Sequence, residues 1–289
     1  MGETVRSIDH LVLPVADLAA AVAFYEALGF TVAPVAHHPF GTANAVVQLG
    51  NAYLELLTVE APERIPAASG FSFATYNRDF LARHEGFSMV ALTSADAAAD
   101  AAHFAAGGFA PLPPFDFARD TVTAGGETKR LAFSLVFVVE PRLAEAVFFP
   151  CRHHHPENFW SDAYRRHANG AGDLAGILMT APDPADFHEF LYVMTGQHDI
   201  HASSAGVRIP MTGTEIDVLS PLAARALFGD IVPAGEAPRL VGFRVAVDDL
   251  AAMRTRLEAA GIAHGARGGA LVVPPAVAFG TAIVFEAAR

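Results

Sequence analysis

Two polar residues stand where apolar strands would otherwise carry aliphatic side chains. They are His10, in Ile8-Asp9-His10-Leu11-Val12-Leu13, and Glu55, in Ala52-Tyr53-Leu54-Glu55-Leu56-Leu57. A buried carboxylate is costly unless it is paired or bound to a cation, and histidine is a natural partner or co-ligand. His10 and Glu55 are therefore either a buried hydrogen-bonded pair or half of a metal site. Other residues could meet a ligand. His38 and Asn44 flank Gly41-Thr42, a turn that either presents polar groups or simply closes a loop. Arg130 and Arg152 adjoin apolar strands, so each guanidinium either reaches inward to clamp a carboxylate or phosphate, or snorkels to the surface. The single cysteine, Cys151, reads as a small buried apolar residue and not as a nucleophile.

The elements that position His10 and Glu55 form one unit. Asp17 to Leu28 has helical spacing and stops at Gly29, and Phe30 to Val35, Ala43 to Leu49 and Ala52 to Val59 read as strands, the last two joined at Gly50-Asn51. The order is βαβββ, and it recurs. A second unit runs from about Gly86 to Arg152, with strands at Phe87 to Leu92, Leu131 to Val139 and Ala144 to Cys151 and a segment rich in Pro, Gly and charge between them. A third opens at Leu174 to Met179 and ends with Thr214 to Leu219. In the fourth, Leu240 to Leu250 lies over Ile8 to Leu18. Four units make two pairs: an N-terminal domain over 1–155, a polar, aromatic linker over 156–172 and a C-terminal domain over 173–289.

Composition narrows the partners. Of 289 residues, 52% are hydrophobic and 17% charged, which favours folded domains over disorder. A formal net charge of −12 argues against nucleic acid or an anionic membrane as the main partner and leaves small molecules or other proteins. One cysteine excludes an intrachain disulfide and fits a reducing cytoplasm, and the first residues carry no secretory pattern. The longest uncharged run, Gly268 to Phe285, is broken by Pro274-Pro275 and Gly280 and reads as two strands and a turn, not a membrane span. The glycine pairs lack the strand-loop-helix setting of a nucleotide-binding motif.

The motifs Ile8 to Leu13, Ala27-Leu28-Gly29-Phe30, His38 to Asn44 and Tyr53-Leu54-Glu55-Leu56 resemble those of the vicinal oxygen chelate superfamily and its glyoxalase-like proteins. The resemblance implies an α+β fold in which paired βαβββ modules curl into cup-shaped mixed sheets. It implies a divalent ion (Zn, Fe, Mn or Ni) held in the first cup by His10 on the first strand and Glu55 on the fourth. In the second module Met89 falls on the ligand position, and no Glu lies at the centre of Ala146 to His153. Cys151 and His153 share one strand face there, which makes His153 the candidate third metal ligand. The second pair offers Ile177, Gly242, Asp217 and Val284 or Glu286, which suits a structural role. The activity implied is that of a lyase, isomerase or dioxygenase on a small oxygenated metabolite, with Glu55 as ligand or general base. The alternatives are a metal-free protein that sequesters a small ligand, and a protein whose role lies in forming a homodimer.

Overall fold

The computed structural model describes residues 5–65, 70–122, 125–233 and 237–288. The first module holds β1 (Ile8–Pro14), α1 (Leu18–Ala27), β2 (Ala36–His37), β3 (Thr42–Gln48) and β4 (Tyr53–Val59), followed by α2 (Phe73–Leu81). The second holds β5 (Met89–Thr93), α3 (Ala97–Ala106), β6 (Phe115–Val122), β7 (Thr128–Leu135) and β8 (Val147–His153). A short α4 (Pro156–Phe159) begins the connection to β9 (Ala171–Thr180), α5 (His188–Thr195), β10 (His201–Ser203), β11 (Gly206–Met211) and β12 (Thr214–Leu219). After α6 (Pro221–Phe228) come β13 (Arg239–Val247), α7 (Leu250–Ala259), β14 (Gly265–Arg267), β15 (Ala270–Val273) and β16 (Ala282–Ala287).

The repeat has a local cause. Each module's first strand runs into an aspartate that caps the next helical segment. Asp17 accepts from the Ala20 amide, Asp96 from Ala98 and Ala99, Asp183 from Ala185, and Asp249 from Ala251 and Ala252. Strands then pair within and between modules. One sheet runs β2-β3-β4-β1-β5-β8-β7-β6 and the other β10-β11-β12-β9-β13-β16-β15-β14. β1 is parallel to β4 of its own module and antiparallel to β5 of the next, so modules one and two share a sheet, as do three and four.

Both faces of each sheet are buried, which is why the strands read as near-continuous apolar runs. Leu11, Leu13, Leu54 and Leu56 of the first sheet and Ile177, Met179, Ile216 and Phe243 of the second belong to one core, shared with Tyr25, Phe104, Phe190 and Leu257 of the helices. The opposite faces form two separate cup interiors. Arg6 ties the halves: one Nη reaches Asp100 Oδ1 at 2.7 Å and the other donates to the Met194 carbonyl at 3.1 Å. Among the described residues no helix is long and apolar enough to cross a membrane.

The structure departs from the sequence expectation in several places. The strand expected over Phe30 to Val35 is not formed. Thr31 spends its N–H on His167 Nδ1 of the linker, and only Ala36–His37 joins the ladder. The segment read as rich in Pro, Gly and charge contains β6, and α2, capped by Ser72, was not foreseen. Ile177 points into the shared core. The ladder places Asp217 beside Leu178 as Glu55 lies beside Val12, so Gly176 and not Ile177 matches His10.

Candidate active site in the first cup

A bulge in β1 builds the centre of the cup. Against β5, Ile8 pairs with Leu92 but His10 pairs with Ala91, leaving Asp9 as the extra residue. Such a bulge re-aims a side chain. Strict alternation would send Asp9 to the helix side, whereas its Oδ2 lies 2.6 Å from His10 Nδ1 and 3.0 Å from His153 Nε2. Burial raises the Asp9 carboxyl pKa, but His153 and His10 outweigh it and hold the group well below the usual carboxylate range. An ionised Asp9 only accepts, so both rings donate to it, and the lone pair of His10 falls on Nε2.

That lone pair faces Glu55. His10 Nε2 and Glu55 Oε2 are 3.7 Å apart, with no hydrogen bond between them. The other oxygen, Oε1, accepts from Asn44 Nδ2 at 2.5 Å and lies 3.9 Å from His38 Nε2. β3 and β4 set this up in register: Val46 lies opposite Glu55, and Asn44, two residues away on the same face, reaches back to the carboxylate. The turn before β3 depends on Gly41, whose φ is +87° and whose missing Cβ leaves room for the Ala61 carbonyl. It presents His38, whose Nδ1 meets Thr42 Oγ1 at 2.8 Å. Burial pushes the His38 pKa down to about 3, so the ring is neutral at neutral pH.

Two of these donors, His10 Nε2 and Glu55 Oε2, have the spacing of ligands to one divalent cation. Two atoms bound to one ion at about 2.0–2.2 Å stand a few ångströms apart without bonding each other, as His10 Nε2 and Glu55 Oε2 do, and a carboxylate behind a ligating imidazole is the usual way of fixing its tautomer. His38 Nε2, 3.9 Å from Glu55 Oε1, faces the same cavity of about 30 Å³. The second module adds none. With Leu11 opposite Val90, Met89 takes the place of His10, and Phe149, opposite Ala91 as Glu55 is opposite Val12, takes that of Glu55. Asp9, Cys151 and His153 bring ligand atoms within 4.8 Å of one another. They suit a metal less well, because Asp9 Oδ2 is committed to two N–H donors and burial raises the Cys151 thiol pKa far above its ordinary value.

Of the residues singled out from sequence, the fold brings His10, Glu55, His38 and Asn44 together. His153 stands behind Asp9, facing it and not Glu55. Arg130 is on the rim, 66% exposed in its side chain and 4.0 Å from Asp120. Arg152 alternates with Cys151 and His153 and so points away from the cup, where it acts on Asp96. Two residues went unseen. Asp9 is hidden by the bulge. Arg119 follows Phe115 and Phe117 on alternate positions of β6, a signal that its charged surroundings obscured. Its guanidinium lines the cavity.

The second cup solves the same charge problem differently. Asp217, in the Glu55 position, and Glu215 and Glu286 all converge on Arg244, which is 5% exposed. Arg208 Nε also reaches Asp217 at 2.7 Å. A Cβ at Gly176 would collide with the Arg244 guanidinium, which fills the space a side chain in the His10 position would need.

Paired βαβββ modules sharing an eight-stranded cup define the vicinal oxygen chelate fold. The sequence pattern of the glyoxalase-like domain family matches residues 8–194, and the chain belongs to that family. Comparison with curated proteins finds no match. Among solved structures, a hypothetical protein from Staphylococcus aureus is similar over 98% of this chain and 100% of its own, at 13% identity and a TM-score of 0.69. A mutant 4-hydroxymandelate synthase from Streptomyces coelicolor is similar over 90% of this chain and 76% of its own, at 16% identity and a TM-score of 0.52. A xylose isomerase-like TIM barrel/4-hydroxyphenylpyruvate dioxygenase fusion protein matches 91% of this chain with 40% of its own, at 12% identity and a TM-score of 0.54.

Proposed function

We propose that the chain is a small-molecule enzyme whose first cup holds a divalent ion on His10, Glu55 and His38. The observation that carries this is the 3.7 Å gap between His10 Nε2 and Glu55 Oε2, with Asp9 fixing the His10 tautomer from behind. When bound, the ion would supply Lewis-acid polarisation of substrate oxygens. The chain's own groups do the rest. Asn44 fixes one Glu55 oxygen, and Tyr53, stacked on His10 at 4.4 Å, keeps the imidazole in plane and excludes water. Glu55 is also placed to take a proton from a ligand in the cavity. Lyase, isomerase and dioxygenase activities all suit such a cup, and the fold likeness to a dioxygenase fusion protein adds that reaction to those worth assaying. The lone, free and buried Cys151 supports a cytoplasmic setting.

Elemental analysis of the purified protein tests the reading. About one divalent ion per chain is expected, lost in His10→Ala and Glu55→Gln while circular dichroism stays unchanged. A Glu55→Gln protein that binds metal as tightly as the parent refutes the ligand assignment. A second reading, a metal-free protein that sequesters its ligand, is favoured by buried Met89 and Phe149 in the second module's ligand positions. It predicts a ligand that stays bound after chelation.

A further inference from the structure

Beside the small cavity of the first cup lies a larger cleft of about 580 Å³. Three residues, Asn44, Arg119 and Phe159, line both spaces and form the threshold between them. Two of the three carry unspent hydrogen-bonding capacity. Arg119 Nε and Nη1 and Asn44 Oδ1 are buried and have no partner among the described residues. A guanidinium taken out of water without an anion is costly, and planar guanidinium groups recognise carboxylates by paired, charge-assisted hydrogen bonds. Asp120, next in sequence, also lines the cleft, 4.0 Å from Arg130, and neither it nor Glu55, whose charge favours the Arg119 cation, bonds Nε or Nη1.

The surroundings limit which anion fits. Glu55 and Asp9 already place two carboxylates in the cup, so a dianion such as phosphate would be repelled where a single negative charge is balanced by Arg119. Beyond the threshold one wall of the cleft is apolar and aromatic, with Phe159, Trp160, Tyr164 and Val46, while Asp120, Lys129 and Glu157 put charged groups elsewhere on its lining. Gln48 fixes part of that wall, donating to the Phe159 carbonyl at 2.7 Å and accepting from the Ser161 amide at 2.9 Å.

We propose that Arg119 binds the carboxylate of a small monocarboxylic acid whose apolar body lies in the cleft against Phe159 and Trp160. The idea rests on the placement of the functional site in the first cup. It adds the class of molecule that enters and the residue that selects it.

The only tryptophan, Trp160, reports on the cleft, so its fluorescence can be titrated with benzoate and with the uncharged isostere benzamide. Benzoate is expected to saturate the signal at least tenfold more tightly than benzamide. Arg119→Met keeps an apolar packing volume and should lose that preference, benzoate weakening at least tenfold while benzamide is unchanged. Arg119→Lys should fall between. Equal binding of the two probes, parent-like benzoate binding by Arg119→Met, or no saturable response to benzoate overturns the proposal. Running Glu55→Gln alongside separates the two ideas. If it has lost metal yet binds benzoate in an Arg119-dependent way, the clamp stands by itself, and if it keeps metal, the ligand assignment fails without touching the clamp.

Discussion

Asp9 Oδ2 receives two imidazole N–H groups, and that double role determines which nitrogen of His10 faces Glu55. Replacing Asp9 by Asn gives one amide oxygen and a donor that opposes one of the rings, so the His10 tautomer is no longer fixed. Asp9→Asn should bind a divalent ion about 10–100-fold more weakly than the parent, the loss typical for groups behind a metal ligand. Competition against a chromophoric chelator measures it, and an unchanged affinity would show that His10 needs no such support. His10 and Glu55 could be found in the sequence because each interrupts an apolar strand. Asp9 could not, because period-two alternation assigns it to the wrong face, and a one-residue bulge leaves no mark in composition. Arg119 was legible in principle through Phe115, Phe117 and Arg119 at alternate positions, but Asp116 and Asp120 between and after them gave the stretch the look of a loop.

At the level of elements, the connection after β8 covers the mouth of the cup and is pinned through His167. Its Nδ1 accepts from the Thr31 amide at 3.0 Å and its Nε2 donates to the Gln48 carbonyl at 2.9 Å, which requires the neutral ring. Burial lowers the His167 pKa, against a smaller raising effect of the Gln48 bond. With the folded value depressed, the stabilisation is complete above the ordinary histidine pKa of about 6.5 and is lost as pH falls below it, since the unfolded chain takes up a proton that the docked ring resists. The melting temperature of the parent should therefore drop more steeply than that of His167→Gln on going from neutral to mildly acidic buffer. Parallel slopes would rule the contact out as the cause. Strands with a buried apolar run, such as β1, β4 and β9, were readable together with their Asp-capped helices. Those that depend on a distant partner were not: Phe30 to Val35 has strand-like residues, yet the linker takes the Thr31 N–H.

Across the whole molecule, two cups lie on opposite sides of one shared core, and they handle clustered carboxylates in two ways. The first presents Glu55 to His10 and His38. The second surrounds Arg244 with Glu215, Asp217 and Glu286. Removing the guanidinium leaves acids facing one another out of water, so Arg244→Met should lose about 3–5 kcal/mol in urea denaturation, the range for breaking a buried ion pair. Added Mn²⁺ should restore part of it. A variant as stable as the parent would mean that the acids are protonated and the pairing contributes nothing. The fourfold repeat was visible in the sequence as recurring Asp-capped helices after apolar strands, whereas which modules share a sheet was not, because strand pairing between modules leaves no local pattern. Arg244 was not, because a charged residue within Leu240 to Leu250 gives no hint that three acids from β12 and β16 will meet it.

A counter-ion written into the polypeptide cannot be starved, exchanged or mis-loaded, and Arg244 is such a counter-ion for the second cup. If the first cup holds the ion proposed for it, EDTA should change the N-terminal half and leave the stability contributed by Arg244 as it was.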